Sequence, residues 1–479
     1  MQIFNSLSRK LEVFTPLGEG AVGLYTCGPT VYDFVTIGNW RTYALGDLVV
    51  RTLGYLGFTT KYIMNITDVG HLTGDNEGDA SIGEDRLEKG AKRENKTAWE
   101  IADFYAKDFL KGFDELNLTH PIRFTKATDY IQEQIELVKR IETKGYTYEI
   151  LDDGIYFDIK KYERDGYSYG DLSNLDVRKE GARVKINPGR KDPRDFALWK
   201  YSPKGVKRHM EWESPWGIGF PGWHIECSAM SMKYLGEQFD IHIGGEDLKS
   251  THHPNEIAQS EAATGKIPYV KYWIHGAFLL IDGGRMGKSL HNAYTLTDIG
   301  KKGFSPMDVR YFYLTGHYRK KLNFTWEALE AARNSRQKLV EQVRAAKKQT
   351  ARTVMSEEKN QKVHLFQNDF KNAISEDFNM PQALSVFWSM LKSNIPSEDK
   401  YDLAVSFDDV LGLNIRKSIE ESERNPVDIP DVVNALAQKR EDFRKRGDFT
   451  QADEVRKEIE SAGFDIKDSS DGYKLKKIR

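Results

Sequence analysis

Val22 to Tyr25 is a short apolar run that breaks into Gly28 and Pro29, the pattern of a buried strand. From Asn39 to Leu56 the apolar residues Tyr43, Leu48, Val49, Leu53 and Leu56 recur at roughly helical spacing. Thr59 to Thr67 then returns as a strand ending in polar Thr67 and Asp68. Strand, helix and strand at this spacing predict a βαβ unit in a parallel sheet, with ligands gathered at the carboxyl ends of the strands. Cys27 and Asp68 both fall at such ends.

Between residues 120 and 200 the alternation gives way to a charged helix, Asp129 to Thr143, and to short strand-like pieces such as Gly154 to Asp158. The α/β pattern resumes with a helix over Trp223–Leu235, a strand at Phe239–Ile243 and a further strand at Phe278–Ile281. Pro254 is compatible with the first turn of a helix, where its missing N–H has no intrahelical partner. His252 and Glu256 then flank that turn. Beyond Thr325, a candidate N-cap, the chain turns helical, with Leu329, Ala332, Leu339, Val340 and Val343 on one face. A second helix is expected over Asn379–Leu391, a linker at Asn425–Pro430, and a small, highly charged, mostly helical tail.

The chain has 479 residues, 39% hydrophobic and 30% charged, with a formal charge of −2. These values support about three domains and exclude a globally basic protein, while one basic face still suffices for phosphates. No basic segment followed by an apolar stretch opens the chain, and no later run is long enough to span a membrane. A cytoplasmic location with reduced thiols is expected.

The two cysteines, Cys27 and Cys227, lie two hundred positions apart. Cys227 closes Trp223-His224-Ile225-Glu226-Cys227, and His252-His253-Pro254-Asn255-Glu256 follows. Two thiols, an imidazole and a carboxylate are a full donor set for four-coordinate zinc. Spacing alone leaves other readings open, because no Cys-x-x-Cys pair anchors the set. A buried Cys is commonly a small hydrophobe, and a His/Glu pair four apart is commonly a helix-surface pair.

Two further motifs frame this region. Thr36-Ile37-Gly38-Asn39 precedes the first long helix, whose N-terminus offers N–H groups and a dipole to a phosphate. Arg285-Met286-Gly287-Lys288-Ser289 forms a Gly-containing loop whose two cations suit a triphosphate. In this order the two resemble the HIGH and KMSKS signatures of class I aminoacyl-tRNA synthetases. The resemblance sharpens to the cysteinyl-tRNA synthetases through Tyr25-Thr26-Cys27-Gly28-Pro29-Thr30-Val31-Tyr32-Asp33, Asn65-Ile66-Thr67-Asp68, the stretch Asp192 to Lys200, and Trp223-His224-Ile225-Glu226-Cys227. Thr315 to Arg319 and Asp377 to Leu384 extend it, so it covers essentially the whole chain.

The resemblance implies an α/β fold: a Rossmann-like parallel-sheet catalytic domain in two halves, 1–120 and 201–290, split by an inserted connective domain at 121–200. A connecting stem at 291–324, with the signature loop at its start, a helical tRNA-binding bundle at 325–424 and a C-terminal α-rich anticodon-binding module at 425–479 complete it. It implies one zinc per chain held by Cys27, Cys227, His252 and Glu256, and activation of L-cysteine by ATP with Mg²⁺, followed by transfer to tRNA(Cys). Soft sulfur binds zinc far better than a hydroxyl does, so coordination can separate cysteine from serine where ordinary contacts reach only about 10²-fold. Lys288, with Arg285 and Ser289, is implied to stabilise the triphosphate. Thr36, Gly38 and Asn39 are placed at ATP, and Gly28, Thr67, Trp223 and Asp247 around the amino acid. Phe449 and Asp453 match the anticodon-reading segment; Phe449 stands where Trp is common, and a core position under a helical hairpin is its other reading. A monomer is favoured over a dimer, and no segment resembles an editing domain.

Thr36, Gly287 and Pro254 are among the departures from the family pattern. Thr36 replaces the opening His of HIGH, Gly287 the middle Ser of KMSKS, and Pro254 interrupts HHENE. A paralogue passing cysteinyl-adenylate to a small amine, as the mycothiol-pathway ligase does, has no need of the helical and C-terminal parts. A non-catalytic relative has no need of Lys288 and four intact zinc donors.

Overall fold

The computed structural model describes residues 1–70, 72–73, 84–173, 189–203, 205, 207–287, 290–348, 355–424, 430–469 and 472–477. They form two compact units, Met1–Leu413 and Asn414–Arg479.

The core of the first unit is a five-stranded, all-parallel sheet. Its order is Val270–Gly276, Phe239–Gly245, Val22–Thr26, Thr60–Ile66 and Arg123–Lys126. Helices on both faces explain why Val22–Thr26 is buried at all five positions: neither side of this strand meets water. The expected βαβ unit is present, with its helix running Ile37–Tyr55. That helix starts two residues before the expected Asn39, because Thr36 acts as N-cap and accepts from the Asn39 N–H.

The chain crosses from one half of the sheet to the other between Val22–Thr26 and Phe239–Gly245. At this reversal of strand order the crossover helices diverge and open a crevice at the carboxyl ends. The Cys27 N–H donates to the Ile243 carbonyl (3.0 Å), so the turn after the first strand is stitched to the end of its neighbour.

A four-stranded antiparallel sheet, ordered Gly219–Pro221, Ala197–Tyr201, Gly154–Phe157 and Thr147–Ile150, makes up the insertion. Its limits differ from the expected 121–200. Arg123–Lys126 completes the central sheet, and Gly219–Pro221 completes the inserted one. Single edge strands are short and carry little periodicity of their own, so pairing partners decide their sheet. The insertion shares a core with the helices beside the crevice, where Ile225 and Ala258 pack among Phe157, Leu198 and Trp199.

Downstream, Trp326–Lys348 is helical with Thr325 accepting from the Ala328 N–H (3.1 Å), and Leu329, Ala332, Leu339 and Val343 face the core. Glu357–Ser375, Met380–Lys392 and Ser397–Leu411 complete the bundle, with Phe370 stacked on Phe407 at 3.9 Å. Asn379 caps Met380–Lys392.

The second unit begins with Ile415–Arg424, a helix that the expected boundary after 424 assigned to the bundle. Helices Asp431–Lys445 and Phe449–Ser461 follow. The tail then departs from the expected helical character: Phe464–Ser469 and Gly472–Lys477 pair as an antiparallel hairpin. Tyr473 and Leu475, two apart, pack against Val433, Val455 and Phe464, a period of two that only a strand satisfies. Among the described residues no helix is long and apolar enough to cross a membrane.

Candidate active site

The fold brings Cys27, Cys227, His252 and Glu256 together in the crevice. One donor atom from each lies within 4.8 Å of all the others, and all four residues are buried. Cys27 follows the first strand. Cys227 sits on the helix Trp223–Leu235, whose N-cap Gly222 has no room for a side chain because a Cβ there would meet the Ala197 carbonyl at 2.0 Å. His252 and Glu256 come from the helix His252–Thr264, one turn apart on the same face, with Pro254 in the first turn as expected.

The spacings suit a tetrahedral ion. Cys27 Sγ is 3.9 Å from Cys227 Sγ and 3.9 Å from Glu256 Oε1, and His252 Nε2 is 3.0 Å from the same oxygen. Ligands at about 2.0–2.3 Å from a central zinc stand roughly 3.3–3.8 Å from one another. Two thiols with one imidazole and one carboxylate match zinc chemically, so the residues present fit the metal.

Electrostatics agree. Burial and the neighbouring Cys227 and Glu256 push the Cys27 thiol up, while contact with Cys27 outweighs burial and lowers Cys227. Burial works against the charged forms of Glu256 and His252, yet His242 and His252 hold Glu256 at about 2, and Glu256 with Cys227 pushes His252 up to about 10. The carboxylate and the thiols thus favour positive charge at their centre, the place a cation would take.

A second layer orients the donors. His242 Nε2 lies 3.0 Å from Glu256 Oε2, leaving Oε1 toward the thiols, and His224 Nδ1 lies 2.9 Å from His252 Nδ1, leaving Nε2 inward. His253 stands 3.5 Å from Cys27 Sγ, with its other nitrogen 2.8 Å from His275. Burial and the imidazoles of His242 and His275 push His253 down, toward the neutral form. A set of Cys27, His242, His253 and Glu256 is equally compact but has one thiol and draws on His242, which already holds the outer oxygen.

Sequence reasoning missed His224, His242, His253 and His275 as supports. A signal existed for His242, a lone imidazole between Ile241 and Ile243 in a strand buried at all but its last position.

The expected amino-acid residues surround this cluster. A Cβ on Gly28 would meet the Asn65 carbonyl at 1.7 Å, so only glycine fits beside Cys27. Thr67, at the end of the adjacent strand, donates its N–H to the Pro29 carbonyl (2.9 Å). The Trp223 ring lies 4.5 Å from that of His252. Asp247 is exposed at the end of Phe239–Gly245, near enough to Cys27 to raise its thiol further.

The two signature motifs also meet. Ile37 N–H donates to the Tyr294 carbonyl (2.8 Å), and Met286 packs on Gly38. Asn292 ties the loop by accepting from the Gly287 N–H (2.8 Å) and donating to the Arg285 carbonyl (3.1 Å). Thr36 and Gly38 are half-buried and Asn39 is exposed, so this helix start is open to a ligand. Arg285 is exposed, while Lys288 and Ser289 lie outside the described residues. Arg41, also missed, donates to the carbonyls of Ala277, Phe278, His317 and Lys320, fastening the same helix to the segment after the last strand. In the second unit Phe449 is 60% exposed, which excludes the core reading, and Asp453 is exposed as well.

Residues 13–334 match the family described as tRNA synthetases class I (C) catalytic domain. The chain belongs to this family. Similar relatives span the full length of such synthetases. A protein of Burkholderia lata named cysteine–tRNA ligase 1 is 42% identical, covering 99% of this chain and 96% of its own. The cysteine–tRNA ligase of Treponema denticola is 40% identical over all of both chains, and that of Chlorobium chlorochromatii is 39% identical over 98% of each. Among solved structures, the methionyl-tRNA synthetase of Mycobacterium tuberculosis in complex with methionyl-adenylate has a TM-score of 0.56 at 13% identity, covering 84% of this chain and 91% of that one. The class I synthetase fold is common to both.

Proposed function

We propose that the protein is a cysteine–tRNA ligase, which activates L-cysteine with ATP and transfers it to tRNA(Cys). The observation that carries this reading is the convergence of Cys27, Cys227, His252 and Glu256 at the strand reversal of the sheet. Zinc held by these four residues supplies a soft Lewis acid that takes a thiolate in preference to a hydroxyl.

The chain's own residues then need to position rather than to attack. The cysteine carboxylate is already a nucleophile; its oxygen bonds to the α-phosphorus of ATP as the bond to pyrophosphate breaks, and the terminal ribose hydroxyl of tRNA(Cys) then takes the acyl group and releases AMP. Gly28 lets the backbone approach the amino acid, Trp223 walls it beside His252, and Asp247 faces its ammonium group. Thr36, Gly38 and Asn39 receive ATP with its Mg²⁺ at the helix start, where the helix dipole favours phosphate. Lys288, Arg285 and Ser289 meet the charge that develops on the triphosphate. Phe449 and Asp453 read the anticodon, an exposed ring being suited to stacking on a base. The enzyme acts as a cytoplasmic monomer.

The deciding experiment is cysteine-dependent ATP–pyrophosphate exchange with serine as control and bound zinc measured in the same sample. Exchange with cysteine alone, at one zinc per chain, is expected, and charging of tRNA(Cys) identifies the acceptor. Zinc without exchange would instead favour a non-catalytic relative in which Thr36 and Gly287 mark lost ATP chemistry. Lys288→Ala is expected to lower exchange and leave zinc content unchanged.

A further inference from the structure

Asn65 lies between the two strand ends that build the amino-acid pocket and bonds to both. The Gly28 N–H donates to Asn65 Oδ1 at 2.8 Å. A backbone N–H only donates, so the amide oxygen must face Gly28, and its NH₂ group must face Thr67. That NH₂ lies 3.0 Å from Thr67 Oγ1 and can only donate to it. Asn65 and Thr67 are 1% and 2% exposed, so water does not compete for these bonds. The backbone locks the same arrangement: Thr67 N–H donates to the Pro29 carbonyl (2.9 Å), and Val31 N–H donates to the Thr67 carbonyl (3.0 Å).

We propose that Asn65 is a positioning residue that fixes Thr67 as a hydrogen-bond donor toward the bound amino acid. Because the Asn65 amide occupies one lone pair of the Thr67 oxygen, the hydroxyl proton cannot lie along that axis and is directed away from Asn65. On the reading that Thr67 lines the amino-acid pocket, the proton then faces the substrate carboxylate, the group that must be aimed at phosphorus. The bond to Gly28 orients the amide, and the amide orients the hydroxyl.

The test separates direction from mere support. Asn65→Asp keeps the acceptor for Gly28 but faces Thr67 with a second acceptor, which turns the hydroxyl proton back toward residue 65. Asn65→Ala loses both bonds but leaves the hydroxyl free to rotate toward substrate. Cysteine-dependent ATP–pyrophosphate exchange is expected to show KM for cysteine rising in the order wild type, Ala, Asp, with Asp higher than wild type by about tenfold or more and KM for ATP unchanged. Zinc content and thermal midpoint are read on the same samples. A purely supporting role predicts the reverse order, Ala worse than Asp, and that order overturns the proposal. Should Asn65→Asp fail to fold, Asn65→Ala made in a Thr67→Val background decides: with no hydroxyl to direct it adds less than about twofold, and an undiminished factor there overturns the proposal. Wild-type protein with no cysteine-dependent exchange would remove the pocket reading itself, an outcome distinct from either variant result.

Discussion

Met286 packs against Gly38, and a methyl group added at Gly38 would meet its Sδ at 3.2 Å and its Cε at 3.3 Å. The two residues are far apart in sequence, and each belongs to one half of the signature pair that marks a class I synthetase. Their contact joins the loop to the helix start proposed to receive ATP. Val at position 38 places three methyl-sized groups where one already touches sulfur, so Met286 must move. Gly38→Val is expected to slow ATP–pyrophosphate exchange by about tenfold, roughly 1.4 kcal/mol of transition-state stabilisation. Unchanged exchange would mean that this contact plays no part in the reaction.

Removing zinc with a strong chelator is expected to abolish exchange and lower the thermal midpoint, because the cluster of thiols and carboxylate then loses its cation. Adding back one equivalent of zinc restores both. Glu256→Gln should bind zinc more weakly, by 10-fold or more on the order of a lost ligand contact, measured by competition with a chromogenic chelator. Full zinc retention in Cys227→Ser together with Glu256→Gln would place the metal elsewhere.

Asp47 joins three parts of the first unit. It accepts from the guanidinium groups of Arg51 (2.7 Å) and Arg310 and from the Thr119 N–H (2.7 Å), and it is fully buried. Burial works to raise its carboxyl, but Arg310 and Arg51 outweigh it and hold the group below the ordinary carboxylate range. A depressed native value adds stability above the unfolded value of about 3.9 and loses it as pH falls through the native one. Asp47→Ala is therefore expected to cost about 3–5 kcal/mol at pH 7, since it leaves Arg310 buried without its anion. Urea titrations at falling pH below about 4 should show the gap to wild type narrowing. A gap independent of pH would assign the loss to packing.

Phe449 is 60% exposed, with Arg444 5.9 Å from its ring centre. Its removal leaves the core of Val433, Val455 and Ile459 intact. Phe449→Ala is expected to raise KM for tRNA(Cys) by about tenfold or more, the scale of one lost base–aromatic stack. The thermal midpoint should hold. An unchanged KM would remove Phe449 from the anticodon contact.

Much of this was legible in the chain. The apolar run at Val22–Tyr25, the helical spacing after it and the strand ending at Thr67 were local patterns, and local patterns survive tertiary packing when both faces of a sheet are covered. The donor types in Trp223–Cys227 and His252–Glu256 were equally plain. The short strands Arg123–Lys126 and Gly219–Pro221 were not, because three or four residues carry too little periodicity to choose a sheet. The hairpin at the C-terminal end was misread because Tyr473 and Leu475 sit among lysines, whose long apolar stems blur an alternation.

Which residues could ligate a soft metal and which runs must be buried were readable along the chain alone. Those properties depend on residue type and on neighbours a few positions away. Long-range packing set the rest: Cys27 and Cys227 stand 3.9 Å apart, His242 rather than His253 holds the outer oxygen of Glu256, and Asn65 bridges Gly28 and Thr67. These relations depend on the order of strands in the sheet, and no spacing along the chain encodes which strand lies beside which.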